Sequence, residues 1–487
     1  MPDRDWRPKF HIQPPTGWLN DPNGSCFFGG KYHIYFQYTP ENPNGGNKSW
    51  GHYESSDLAH FTYVDTPLKP DEDFDRNGVY SGTAWEENGT LELYYTGNVK
   101  HPGDYDYINE GRGHNVVRVT TDDCVHYTAK ELLLENSDYP ENLSCHVRDP
   151  KIFKSDKDTD YYMLLGARTR DSHGGLLFMK SSDRQTWKTD LLFCPEGFGY
   201  MLECPDFFTL DRKNGQTGVV SFCPQGMESE ESKFQNIYQS GYCLLSDEII
   251  DKARDGLDSE NHVLYSTLKN NITVENFTEW DMGFDFYAPQ VFAAPDGRRI
   301  LIGWAGVPDA PYHNTKTVEQ GWQHCMTVCR ELKLLNGRIY QNPVGELEKL
   351  REREIFIGKV EDGAWIAMNG SSWDAEVLFE KNGECYRKIN INDELTLEEN
   401  ENGLVMSIAE ECGDGRRVRR IENVRLEKVR ILFDESIVEF YINDGEYVMT
   451  SRYYPSESLA MKMSVTGCAA EVKAYIMNSG IEIGKSN

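Results

Sequence analysis

Short apolar runs recur along the chain, and most stand directly behind a turn that carries a proline. Cys26-Phe27-Phe28 follows Asp21-Pro22, and Ile152-Phe153 follows Asp149-Pro150. Phe207-Phe208 follows Glu203-Cys204-Pro205, and Val291-Phe292 follows Tyr287-Ala288-Pro289-Gln290. Tyr80-Ser81-Gly82 holds the corresponding place in one further unit. Runs of this length and residue type predict strands. Proline is tolerated at the first residue of a strand and keeps its predecessor extended.

A second series interleaves with the first. Ser55-Ser56-Asp57 leads to His60-Phe61, Thr120-Thr121-Asp122 to His126-Tyr127, and Ser181-Ser182-Asp183 to Trp187, with a fainter copy at Ser246-Asp247. The aspartates are 65, 61 and 64 residues apart (57 to 122, 122 to 183, 183 to 247). Ser, Thr and Asp form turns, so each copy reads as the outer hairpin of one β unit. Five units of about sixty residues, with no amphipathic helices between them, predict a five-bladed β-propeller over residues 1–340. Each unit begins with its innermost strand, which places the acids around a central funnel.

The repeat fades after Trp304. Glu346-Leu347-Glu348-Lys349-Leu350-Arg351-Glu352-Arg353 is the best helical candidate, a connector within 341–359. From residue 360 to 487, short alternating strands are punctuated by Asn369-Gly370, Asn382-Gly383 and Asn402-Gly403, hairpin-turn signals. Ile437-Val438-Glu439-Phe440-Tyr441-Ile442 closes on Asn443-Asp444-Gly445 in the same way. This half reads as a β-sandwich with no chemistry of its own.

Composition narrows the class. A formal charge of -29 argues against nucleic acid, whose phosphates it would repel. The dense basic run Gly415-Arg416-Arg417-Val418-Arg419-Arg420 reads as a solvated strand face. No apolar stretch is long enough for a bilayer span, and Met1-Pro2-Asp3-Arg4-Asp5-Trp6 lacks the apolar core of a signal peptide. Twelve cysteines without a tight framework then read as reduced thiols in a cytoplasm. Cys325 and Cys329 have no second Cys/His pair at zinc spacing, so no metal or other cofactor is expected.

The chemistry rests on Asp21, Asp149 and Glu203, acids presented alike by three distant segments. Singly each motif is weak, since Asp-Pro-Asn-Gly also makes an ordinary type I turn. Together they suit glycosidic bond cleavage, which needs a proton donor and, in retaining enzymes, a nearby carboxylate nucleophile. Glu203 suits the donor, its pKa raised by burial and neighbouring negative charge. The nucleophile stays ionised with help from donors such as Asn20. Asp149 can fix sugar hydroxyls and favour positive charge at the transition state, with Arg148 keeping it ionised.

Trp18-Leu19-Asn20-Asp21-Pro22-Asn23-Gly24, Arg148-Asp149-Pro150 and Glu203-Cys204-Pro205-Asp206 resemble the three signature motifs of glycoside hydrolase family 32. That family holds invertases, fructanases and sucrose-6-phosphate hydrolases. The likeness continues through Tyr80-Ser81-Gly82, Asp285-Phe286-Tyr287-Ala288-Pro289-Gln290, Gly303-Trp304 and Cys329-Arg330-Glu331-Leu332, and through Asp434 to Gly445, so it covers nearly the whole chain. It implies a five-bladed propeller followed by a β-sandwich, and a retaining, cofactor-free double displacement on β-fructofuranosides. Carried over by position, Asp21 is the nucleophile, Glu203 the acid/base and Asp149 the transition-state stabiliser. Asn20, Gln37, Trp50, Tyr80, Ser81, Arg148, Asp285, Tyr287 and Trp304 line the fructose pocket and its rim, with a core indole as the other reading for Trp50 and Trp304. Two departures stand out. Glycine occupies the rim segment Pro43-Asn44-Gly45-Gly46-Asn47, where many relatives have tryptophan, which bears on the leaving group. Val328-Cys329-Arg330 replaces the usual Leu-Pro-Arg, a change expected to touch only a turn.

The expected substrate is a small sugar: intracellular sucrose or sucrose 6-phosphate, with a short fructo-oligosaccharide as the alternative. Rival readings are an arabinanase-type furanosidase of another five-bladed family, a fructosyltransferase, and a carbohydrate-binding propeller without catalysis. Retention of all three acids speaks against the last.

Overall fold

The computed structural model describes residues 4–154, 159–212, 215–245, 262–380, 386–456 and 461–484. Among these residues the strands form five successive four-stranded antiparallel meanders, then two six-stranded sheets. The meanders begin with Gly17–Phe28, Val79–Glu87, Leu143–Lys154, Met201–Arg212 and Tyr287–Ala293. Each of these first strands packs against the first strands of the blades on either side, and the fifth meets the first. The five blades therefore close around an axis, as the repeat predicts. Trp322–Gln323 adds to the inner edge of blade 1 (Gly17↔Trp322), and Ile481–Glu482 adds to its outer strand Phe61–Leu68 (Ile481↔Phe61), both parallel.

In every blade the pairing between first and second strands slips at the same level. It skips Asn20-Asp21, Tyr80-Ser81, Asp149-Pro150, Cys204-Pro205 and Ala288-Pro289 in turn. A β-bulge bends its strand and re-aims the side chains at that point. Here five bulges turn their residues toward one axis. Asp149, Cys204 and Ala288 adopt left-handed φ of 63°, 45° and 47°, a conformation that costs a non-glycine residue of order 1–3 kcal/mol. In blade 2 the same level needs glycine, because a Cβ on Gly82 would lie 1.9 Å from the Tyr94 carbonyl oxygen.

The outer turns share one local geometry. The hydroxyls of Ser55, Thr121 and Ser181 accept the N–H groups of Leu58, Cys124 and Arg184 at 2.8–2.9 Å. Asp57, Asp123 and Asp183 accept from the backbone N–H groups two and three residues further on. Leu58, Cys124 and Arg184 are left-handed. The blade 2 copy is thus Thr121-Asp122-Asp123, one residue later than the expected Thr120-Asp122. The cause is that both Asp122 and Asp123 fit a turn, and only Asp123 lies two residues beyond the bonding hydroxyl. Ser246-Asp247 lies outside the described residues.

The two six-stranded sheets face each other across a core that includes Trp373, Val377, Ile389, Leu397, Ile431, Phe440, Met463 and Val472. Asn443-Asp444-Gly445 turns with three successive positive φ values, while Asn382-Gly383 lies outside the described residues. The expected connector helix is shorter than its sequence suggests. Gly345–Leu350 is a 3-10 helix whose Leu347 and Leu350 are buried, and Arg351–Val360 is already a strand paired with Ala470–Met477. Leucines three apart suit the eclipsed faces of a 3-10 turn, and the sheet claims the rest.

The propeller–sandwich boundary corrects one expectation. The Arg330 guanidinium is fully buried there and bonds Asp281, Glu439 and Thr450 at 2.6–3.1 Å. The basic run is a solvated face only in part: Arg417 and Arg420 are exposed, whereas Arg416 is buried and Arg419 stacks 3.8 Å from the Phe284 ring. Acidic and aromatic partners on the propeller draw the latter two inward.

No helix among the described residues is long and apolar enough to cross a membrane. The described cysteines are free thiols, Cys325 and Cys329 among the buried ones.

Candidate active site

The three acids meet at Cys204. Its backbone N–H donates to Asp149 Oδ2 at 2.9 Å, and its thiol lies 3.7 Å from Asp21 Oδ2. Glu203 is its chain neighbour. The left-handed turn at Cys204 accompanies this contact, in which the peptide N–H reaches the adjacent blade 3.

Each carboxylate has its own cradle. Asp21 Oδ2 accepts from Gln37 Nε2 at 3.0 Å and from the Ser81 hydroxyl, and Oδ1 accepts from Asn20 Nδ2 at 3.0 Å. Trp18 Nε1 orients Asn20 through its Oδ1 at 2.8 Å. Glu203 Oε1 accepts from Arg148 Nη2 at 2.5 Å and Nε at 3.2 Å. Glu203 Oε2 accepts from the Tyr287 hydroxyl at 2.7 Å and Gln225 Nε2 at 2.8 Å. The backbone N–H of Asp149 donates to Thr96 Oγ1 at 2.9 Å.

Burial dominates the electrostatics. It raises the Asp21 pKa, opposed by the hydrogen bonds from Ser81 and Asn20 and reinforced by the charge of Glu203. It lifts Asp149 to about 7, with Arg148 pulling the other way. Arg148 therefore does not hold Asp149 in the ordinary carboxylate range. Its guanidinium is committed to Glu203, and its Nε stands 4.0 Å from Asp149 Oδ2. On the far side, Arg148 Nη1 donates to His146 Nδ1 at 2.7 Å. Burial and the cations Arg148 and Arg112 keep His146 neutral, down to about 3, so its Nε2–H donates to the Tyr107 carbonyl. At the rim, burial lowers Lys48 to about 7 against the attraction of Asp21. Its ammonium lies 4.7 Å from the Trp18 ring.

Two expected pocket residues are elsewhere. Trp50 is completely buried, and its Nε1 donates to the Tyr80 carbonyl at 3.0 Å. It braces the blade 2 bulge from behind, the core reading. Asp285 is also buried, its carboxylate held by Arg416 Nε and Nη2 at 2.6 and 2.7 Å and by the Arg452 N–H at 2.8 Å. These donors come from the sandwich and turn the acid away from the funnel. Trp304 packs against Tyr287, Trp18 and His324 as part of the wall. Tyr80 is half-buried, its ring 6.0 Å from His114. At the glycine rim, a Cβ on Gly45 would have Lys48 Nζ and Trp18 as its nearest neighbours, at 3.5 and 3.7 Å.

Gln225, Cys204 and Trp18 touch the site without having been singled out as site residues. Gln225 lies on the strand paired with Glu203's own (Glu203↔Cys223), a register that no local motif discloses. Trp18 opens the first signature motif, which was the signal available for it.

Comparison with known proteins identifies the family. The model for the glycosyl hydrolases family 32 N-terminal domain matches residues 11–343, and that for the family 32 C terminal matches 407–476. A sucrose-6-phosphate hydrolase of Salmonella typhimurium is 35% identical over 467 residues, spanning 92% of this chain and 89% of its own. The solved sucrose-6-phosphate hydrolase of Lactobacillus gasseri superposes with a TM-score of 0.81 at 30% identity, covering 98% of this chain and 94% of that one. A Bombyx mori β-fructofuranosidase gives 0.80 at 28%, covering 98% and 95%. With both of its halves matched and the carboxylate cluster assembled from the propeller's bulges, this chain belongs to glycosyl hydrolase family 32.

Proposed function

We propose that Asp21 attacks the anomeric carbon of a terminal β-fructofuranoside while Glu203 protonates the leaving oxygen, in an enzyme that hydrolyses sucrose or sucrose 6-phosphate. The observation that carries this reading is the meeting of three acids from three blades at Cys204. Asp21 has a cradle of neutral donors that favours its ionised form. Glu203 faces Tyr287 and Gln225 on one oxygen and Arg148 on the other, which fixes its direction. Asp149 supplies negative charge beside the oxocarbenium-like transition state. In the second step Glu203 takes a proton from water, which then hydrolyses the fructosyl–Asp21 ester with net retention. Asn20, Gln37, Ser81, Arg148 and Tyr287 hold the carboxylates and the sugar hydroxyls near them. Free thiols are the state that a reducing cytoplasm maintains.

Catalytic efficiencies on sucrose, sucrose 6-phosphate and a short fructo-oligosaccharide test the reading. The first two are expected to be turned over best. A charge-assisted phosphate contact makes the preference for sucrose 6-phosphate fall as salt rises, while sucrose itself barely responds. Equal use of the two at low salt identifies plain sucrose as the substrate. Failure to release fructose from any of the three rejects the proposal.

A further inference from the structure

The segment that carries Tyr287 is built on the sandwich. Met282 N–H donates to the Val448 carbonyl at 2.8 Å and Asp285 N–H to the Thr450 carbonyl at 3.0 Å, while Thr450 N–H returns to Asp281 Oδ1 at 2.8 Å. Residues 281–285 thus lie along the strand Tyr447–Arg452. The approach is close enough to need glycine at 283, where a Cβ would stand 2.1 Å from the Thr450 oxygen. The run ends at Asp285, clamped at both oxygens by the buried Arg416. Two residues later Tyr287 reaches Glu203 Oε2.

We infer that Arg416 of the sandwich is a positioning residue for the reaction, acting through Asp285 on Tyr287 and so on the orientation of the Glu203 carboxyl. This rests on Glu203 being the proton donor. Arg416 never meets substrate. It fixes where the strand of blade 5 begins, and a shift there moves the Tyr287 hydroxyl away from an oxygen it must hold for proton transfer.

The experiment is a double-mutant cycle on the full-length enzyme with Arg416→Gln and Tyr287→Phe, read as kcat and KM on sucrose and on an aryl fructoside with an acidic leaving group. Arg416→Gln is expected to lower kcat on sucrose about tenfold or more, to change KM less than about twofold, and to spare the aryl substrate. The double variant is expected to match Tyr287→Phe within about twofold, because a coupled pair is not additive. Arg430→Gln breaks a half-buried arginine pair with Asp374 on a sandwich sheet, and is the control for plain destabilisation. Its kcat loss, if any, should multiply with that of Tyr287→Phe. Multiplying losses for Arg416→Gln, or equal losses on both substrates, overturn the inference. If Arg416→Gln does not fold, Asp285→Asn keeps the shape of the acid and enters the same cycle. Glu203→Gln separates the two levels. If it shows no leaving-group dependence, the role of Glu203 itself fails; if it does and the cycle is additive, only the role of Arg416 fails.

Discussion

The peptide N–H of Cys204 points at Asp149 Oδ2 from 2.9 Å away, so the residue beside the acid of blade 4 anchors the acid of blade 3. The two bulges lock one another. A displacement of either strand along the axis breaks this bond and changes the separation of Glu203 from Asp149. The left-handed φ values at both residues are held by this mutual contact, which is how strain persists at a functional site.

Asp21→Asn is expected to lower turnover by several orders of magnitude and to leave the fold intact, since the amide keeps the turn but lacks the attacking charge. Activity within about tenfold of wild type excludes Asp21 as nucleophile. Circular dichroism checks the fold.

Glu203→Gln removes the acid and sets an NH2 group against donors on one side, either Arg148 or the pair Tyr287 and Gln225. Sucrose hydrolysis should suffer most, and the first step on aryl fructosides with acidic leaving groups should be largely spared. Freshly released sugar in the wild-type reaction should be β-fructose by NMR. Inverted product in the first minutes would falsify the double displacement.

The pH dependence follows from burial. Asp149 is lifted to about 7 and Asp21 is raised as well, and both act as anions. Their ionised forms are lost as the pH falls, so kcat/KM should decline as pH drops through about 7, the limb belonging to the coupled set rather than to one acid. A flat profile from pH 8 down to pH 5 contradicts this.

Glu439 gives a stability prediction. Burial alone would raise it, but Arg330 and His11 hold it at about 2. A depressed carboxylate stabilises the fold above its unfolded pKa and loses that contribution as pH falls toward 2. His11, raised by Asp434 and Glu439 against its burial, acts in the opposite sense and weakens the fold on the alkaline side. Glu439→Gln leaves the buried Arg330 with Asp281 as its remaining carboxylate and should cost about 3–5 kcal/mol at neutral pH. Its melting temperature should fall less steeply than that of wild type between pH 5 and pH 3. Parallel slopes by thermal denaturation refute the assignment.

The propeller and its three acids were legible because their signals are local. A proline ahead of an apolar run, or a Ser/Thr hydroxyl two residues before an aspartate, is written in a few consecutive letters. What escaped depends on residues far apart. Asp285 looked like a pocket acid because Arg416 lies 131 residues away. Arg416 and Arg419 looked solvated because charge predicts exposure unless a partner is known. Gln225 required the register of a hairpin, and Arg330 required the face of a second domain. The Thr121–Asp123 turn was missed by one residue, since adjacent aspartates look alike until hydrogen bonds distinguish them.

Blade 1 takes its inner edge from Trp322–Gln323 and its outer edge from Ile481–Glu482. It leaves the ribosome first and is completed last. Until both late segments arrive it presents two unpaired strand edges, the surfaces on which sheets aggregate. Ring closure by contacts so distant in sequence is slow. Truncation before residue 481 therefore exposes the outer edge of the oldest blade, and the damage should be read first in the yield of refolding rather than in the turnover of whatever has folded.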